Sequence, residues 1–221
     1  MMATQLLAPW HERFPGQLAG SVYAAPTETR IIAAQELSAA GLDVHVDVMA
    51  ESEGLPTGVG LDELDRIAAA VDTARVGVHV IGSPGFVDTV LSSVLAVRPA
   101  VVFVPWDAFS AERVATIRTA GSQAWVALWQ EWDGADEASI PEWPTTPDGV
   151  LVMLIQPGTR DQCALGRLAI VTACAGELPV AVDGGVTESV AELCVSAGAS
   201  SIVVGRALFA GPSAASTEGT P

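Results

Sequence analysis

Short apolar runs recur along this chain at intervals of about 25 to 30 residues, each followed by an Ala-rich stretch with helical spacing. That rhythm belongs to consecutive βα units and confines the chain to α/β folds with a parallel sheet. The candidate strands are Leu18 to Ala24, Asp43 to Met49, Val76 to Ile81, Ala100 to Val104, Gln123 to Leu128, Val150 to Ile155, Pro179 to Asp183 and Ser201 to Val204. Between them, stretches such as Thr27 to Ala40, Leu61 to Thr73, Ser110 to Ala120 and Thr187 to Ala197 are amphipathic. Eight parallel strands with crossover helices close naturally into a (β/α)8 TIM barrel, and 221 residues sit near the roughly 250 typical of it. An open doubly wound sheet is the alternative.

The pattern assigns residues 1–17 to an N-terminal arm or short helix, 18–209 to the barrel and 210–221 to a flexible tail. Gln130 to Asp148 is rich in Pro, Trp and acids where the fifth helix belongs, so that helix is expected to be short or irregular. The eighth is expected to be short or missing.

Charge narrows the function classes. The formal charge of -16 comes from 26 acids against 10 arginines, and the chain has no lysine. An acidic chain lacks the basic footprint of a nucleic-acid binder. Without lysine, Schiff-base chemistry and lysine general acids are excluded. No apolar stretch approaches the ~20 residues of a membrane span, and the N-terminus does not read as a secretory signal, so no membrane association and a cytoplasmic location are expected. Cys163, Cys174 and Cys194 lack metal spacing, fall on predicted helices and read as reduced, packed thiols.

Four polar residues interrupt the apolar runs. In DVHVDVM, Asp43, His45 and Asp47 share one strand face, because side chains alternate with period two. His79 ends the next strand and Asp183 ends the seventh. In a barrel the C-terminal ends of the strands converge on one mouth, where the active site lies. Burying histidine and carboxylate together costs several kcal/mol unless they are paired or metal-bound. A hydrogen-bonded core pair is the simpler account of His45 and Asp47 alone. The four together make a nitrogen and oxygen site for one divalent cation: zinc, iron(II), manganese or cobalt.

These residues resemble a known family. His45-Val46-Asp47-Val48-Met49, His79 followed by Pro84, Gln156-Pro157-Gly158 with Gln162, and Val182-Asp183-Gly184-Gly185-Val186 have the order and spacing of ribulose-phosphate 3-epimerase. Gly20-Ser21-Val22 is similar to the family's first-strand serine segment, and the likeness runs from about Gly20 to Phe209. The resemblance implies a (β/α)8 barrel and epimerisation at carbon 3 of a ketopentose 5-phosphate. It implies Asp47 and Asp183 as the proton-transfer pair, with His45, Asp47, His79 and Asp183 as ligands of one divalent cation. It also implies substrate contact by Ser21, an apolar layer of Met49 and Met153, and a phosphate seat at Gly158, Gly184, Gly185 and Gly205. The expected partner is a small phosphorylated sugar, with self-association left open.

The phosphate end departs from the family pattern. A loop of the form NPGFGGQ is here Gln156-Pro157-Gly158-Thr159-Arg160-Asp161-Gln162, so two glycines are lost. Gly205-Arg206 follows the eighth strand, and Val-Gly-Arg there resembles a phosphate site of the wider barrel superfamily. Arg206 is thus expected to substitute a charged fork for the lost backbone donors, with Arg160 as its competitor. Trp106, Trp129 and Trp132 on the mouth loops either line the pocket or pack those loops. Two functions remain open: a metal-dependent epimerase, and a catalytically idle relative that binds metal or a small ligand.

Overall fold

The computed structural model describes residues 7–132, 142–159 and 161–209. Eight parallel strands pair in sequence order and close on themselves: β1 Leu18–Ser21, β2 Asp43–Met49, β3 Val76–Ile81, β4 Val101–Pro105, β5 Gln123–Leu128, β6 Gly149–Met153, β7 Val180–Asp183 and β8 Ser201–Val204. The (β/α)8 barrel is therefore the fold. Helices α1 Arg30–Ala39, α2 Leu61–Ala70, α3 Pro84–Ala96, α4 Ala111–Thr119, α5 Leu168–Cys174, α6 Glu188–Ser196 and α7 Arg206–Phe209 pack outside it.

The sequence explains the closure locally. In β2, Val44, Val46 and Val48 face the helices and are nearly inaccessible, while His45, Asp47 and Met49 face inward. Each buried valine contributes ~1.5 to 3 kcal/mol relative to exposure, so a one-residue slip would exchange that gain for the burial of His45 and Asp47 against the helices. Helix starts are capped by side chains: Ser83 on α3, Ser110 on α4 and Thr187 on α6 each accept from the backbone N–H three residues on.

Several boundaries differ from the expectation. The first strand stops at Ser21 and turns into a short 3-10 segment, Val22–Ala24, so these residues leave the wall to form the mouth. The arm holds a 3-10 turn at Pro9–Arg13, tied back by Ala8 N–H donating to the Leu208 carbonyl. Between β5 and β6 the described residues contain no helix, and α7 has four residues. Arg167 donates to the carbonyls of Leu128 and Met153, the last residues of β5 and β6. Cys163 lies in a loop rather than a helix, whereas Cys174 and Cys194 are buried on helices as expected. The expected tail, residues 210–221, and Arg160 lie outside the described residues.

The barrel interior is layered. A side chain at Gly77 would meet Phe103 at 2.9 Å, and one at Gly149 would meet Trp125 at 2.4 Å, so two glycines admit two large rings. Phe103 and Trp125 stack edge-on at 5.6 Å, and Phe103 lies 5.4 Å from the His45 ring. The rings form a floor under the polar layer.

Candidate metal centre and active site

Strand register assembles the polar layer. Asp47 pairs directly across from His79, Ser21 from His45, and Met153 from Asp183. One ligand atom from each of His45, Asp47, His79 and Asp183 lies within 4.8 Å of the others. His45 Nε2 is 3.2 Å from Asp47 Oδ1 and 3.8 Å from Asp183 Oδ2, and His79 Nδ1 is 3.5 Å from Asp47 Oδ1. Ser21 Oγ donates to Asp47 Oδ2 at 2.8 Å. Asp43, on the same face as His45, sits at the opposite end of the strand and pairs with Arg75 at 3.0 Å, away from the cluster.

Electrostatics within the cluster are unbalanced. Burial opposes the charge of Asp47, yet His45 and His79 outweigh it and hold its carboxyl well below the usual carboxylate range. Burial pushes the Asp183 carboxyl up, and the neighbouring Asp47 charge adds to that against the pull of the histidines. Burial disfavours the His45 imidazolium, but the charge and hydrogen bond of Asp47 raise its pKa overall. No arginine pairs with either aspartate among the described residues.

A divalent cation fits this donor set. His79 Nδ1 is buried and has no hydrogen-bond partner, which costs ~1 to 3 kcal/mol unless something else occupies its lone pair. Two buried carboxylates and two imidazoles on four strand ends are also the ligand types that zinc and its neighbours accept. His45, Asp47, His79 and Asp183 would hold the ion.

A cavity of about 340 Å³ opens over the β1, β8 and β7 side of the mouth, within the range of small-molecule sites. Ser21, Asp47, Met49, Met153, Gly158, Asp183, Gly184, Gly185, Gly205 and Arg206 all line it. Every inferred catalytic and substrate residue thus meets at one cavity, which His45 and His79 border from below. Residues 17–209 match the model of the family described as Ribulose-phosphate 3 epimerase family. The chain belongs to the ribulose-phosphate 3-epimerase family.

No curated protein matches the sequence. Solved structures that resemble this member of the epimerase family do so at the level of fold. A phosphoribosyl anthranilate isomerase from Thermococcus kodakaraensis is 15% identical with a TM-score of 0.60, covering 87% of this chain and 89% of that one. A mutant tryptophan synthase α-subunit from Pyrococcus furiosus is 17% identical with a TM-score of 0.60, covering 87% and 88%. Orotidine 5'-phosphate decarboxylase from Pyrococcus horikoshii OT3 is 15% identical with a TM-score of 0.57, covering 89% and 92%.

At the mouth the structure chooses between the two roles that the sequence leaves open for the tryptophans. None of Trp106, Trp129 and Trp132 lines the cavity. Trp106 packs on Trp143 at 5.8 Å, Trp129 lies under the Arg167 guanidinium at 4.9 Å, and Trp132 packs against the core. All three thus pack on neighbouring side chains of the mouth loops and the core. Gly184, at φ +114, is required by the protein itself, because a side chain there would meet Ile155 at 2.7 Å. Tyr23, Thr159 and Thr187 also line the cavity and were not singled out from sequence. Tyr23 was hidden because its segment read as a continuation of the first strand.

Proposed function

We propose that this chain is a metal-dependent epimerase that inverts carbon 3 of a ketose phosphate, of the D-ribulose 5-phosphate to D-xylulose 5-phosphate type. The observation that carries the reading is the entry of Asp47 and Asp183 into one cavity from strands on either side of the β1 and β8 seam. Inversion next to a carbonyl needs one group to take the carbon-3 proton from one face and another to deliver a proton to the opposite face. Asp47 accepts the proton, the electron pair of the broken C–H bond enters the carbonyl to give an enediolate, and Asp183 protonates carbon 3 from the other side. The reverse reaction exchanges their roles.

A bound divalent cation supplies electrostatic stabilisation of the negative charge that develops on the substrate oxygens. Ser21 orients Asp47 through its hydrogen bond. Met49 and Met153 give the cavity apolar walls that limit water near the carbanionic carbon. Gly158, Gly184, Gly185, Gly205 and Arg206 line the part of the cavity assigned to the phosphate, and Arg206 has no ion-pair partner among the described residues.

The test is proton exchange. Cation-loaded protein should incorporate deuterium from heavy water at carbon 3 of D-ribulose 5-phosphate or a related ketose phosphate, followed by NMR. No exchange across a panel of ketose phosphates would make the chain a binding barrel in place of an enzyme. Such an outcome would fit the altered loop at Thr159 and Asp161.

A further inference from the structure

Arg30 opens α1 and is almost wholly buried, which is doubly unfavourable for a guanidinium. Burial strips its water, and the first turn of a helix is the positive end of the dipole. Its partners explain why it is tolerated. Nη1 donates to Glu63 Oε2 at 3.1 Å and to the Gly58 carbonyl at 3.3 Å, Nε donates to the Ala25 carbonyl at 3.4 Å, and the guanidinium lies 5.5 Å from the Tyr23 ring centre. Glu63, on α2, is buried as well.

These contacts meet on both mouth loops that flank the site. Gly58 is pressed onto the end of β2, where a side chain would lie 2.7 Å from the Asp47 carbonyl, and Val59 N–H donates to that carbonyl at 2.8 Å. Tyr23 lines the cavity, and its hydroxyl makes no hydrogen bond to the described residues. A side chain at Gly205 would come within 3.3 Å of Ala24, so the loop bearing Tyr23 abuts the one bearing Arg206.

We propose that Tyr23 is a specificity-determining residue that donates to the phosphoryl end of the substrate beside Arg206, and that Arg30 and Glu63 are positioning residues that hold it there. The donor part rests on the sugar-phosphate reading above. A phenol on a stacked guanidinium has little freedom left, so its hydroxyl is placed before the ligand arrives. The same pair pins the backbone of β2 beside Asp47.

Tyr23 is the single tyrosine of the chain, so protein made with 3-fluorotyrosine gives one fluorine NMR resonance. D-ribulose 5-phosphate should move that resonance, and unphosphorylated D-ribulose should not. Removing only one charge of a buried pair can unfold a protein, whereas removing both is often tolerated. Arg30→Met combined with Glu63→Leu is therefore the informative variant. In it the ligand-free resonance should move or broaden and the Val59 amide should exchange about ten-fold faster. Calorimetric affinity for D-ribulose 5-phosphate should fall about ten-fold in Tyr23→Phe, equally in the double variant, and no further in the triple variant. An unchanged ligand-free resonance in the double variant, or a resonance that no sugar phosphate moves in wild type, overturns the proposal. Failure of the epimerase reading alone has a different signature: the resonance responds to the sugar phosphate while carbon 3 takes up no deuterium.

Discussion

Ser21 Oγ holds one carboxylate oxygen of Asp47 at 2.8 Å, while His45 and His79 lie on the other. The hydroxyl thus fixes the rotation of the carboxylate without belonging to the cation ligands. Ser21→Ala is expected to slow carbon-3 exchange by about ten-fold, the scale of one buried hydrogen bond, while metal content stays stoichiometric. Exchange NMR and elemental analysis on the same sample check this. Metal loss in step with activity would mean that Ser21 supports the ligand cluster as a whole.

His79→Ala should remove stoichiometric metal and leave the barrel folded, because the variant deletes a buried nitrogen that makes no hydrogen bond, and Asp47 keeps those from His45 and Ser21. Circular dichroism reports the fold and elemental analysis the metal. Full metal occupancy in the variant would refute the assignment of His79 as a ligand.

Arg206→Ala should weaken a phosphorylated substrate by about 10- to 1000-fold, or about 1.4 to 4 kcal/mol, and change an unphosphorylated sugar little. Arg160→Ala, measured in parallel, identifies the rival anchor. Equal losses for both sugars in the Arg206 variant would show that the residue does not read phosphate.

Asp148 ties the segment before β6 to α4 and β5. It accepts from Arg118 at 2.8 Å and from the Ala124 N–H at 2.8 Å. Burial raises its pKa, but these hydrogen bonds and the Arg118 charge outweigh it and leave the carboxyl below its ordinary value. A lowered folded-state pKa stabilises above the unfolded pKa and stops doing so as pH falls through the folded one. Asp148→Asn should therefore cost about 0.5 to 1 kcal/mol at pH 7, a modest value for a solvent-screened pair. The gap should begin to close below about pH 4, as urea unfolding at several pH values will show.

The barrel and its cluster of histidines and aspartates are legible in the sequence for one physical reason. Eight largely apolar runs leave few places for polar atoms, so His45, Asp47, His79 and Asp183 stand out against them. Arg30 and Glu63 carry no such contrast, since charged residues in amphipathic helices usually face water. Their meeting depends on how α1 and α2 pack, which no local pattern encodes. The three mouth tryptophans are ambiguous for the opposite reason: an indole suits a pocket and a loop filling equally, and only their contacts with Trp143, Arg167 and the core decide it.

Phe103 and Trp125 sit over positions that have no side chain, at Gly77 and Gly149, directly beneath the ligand histidines. Each ring is held in register with the strands, because it occupies the space that a side chain at its glycine would need. The roof of this barrel is thereby free to be rebuilt. The loop after β6 can trade two glycines for Arg160 and Asp161 while the four candidate ligand atoms keep their mutual spacing.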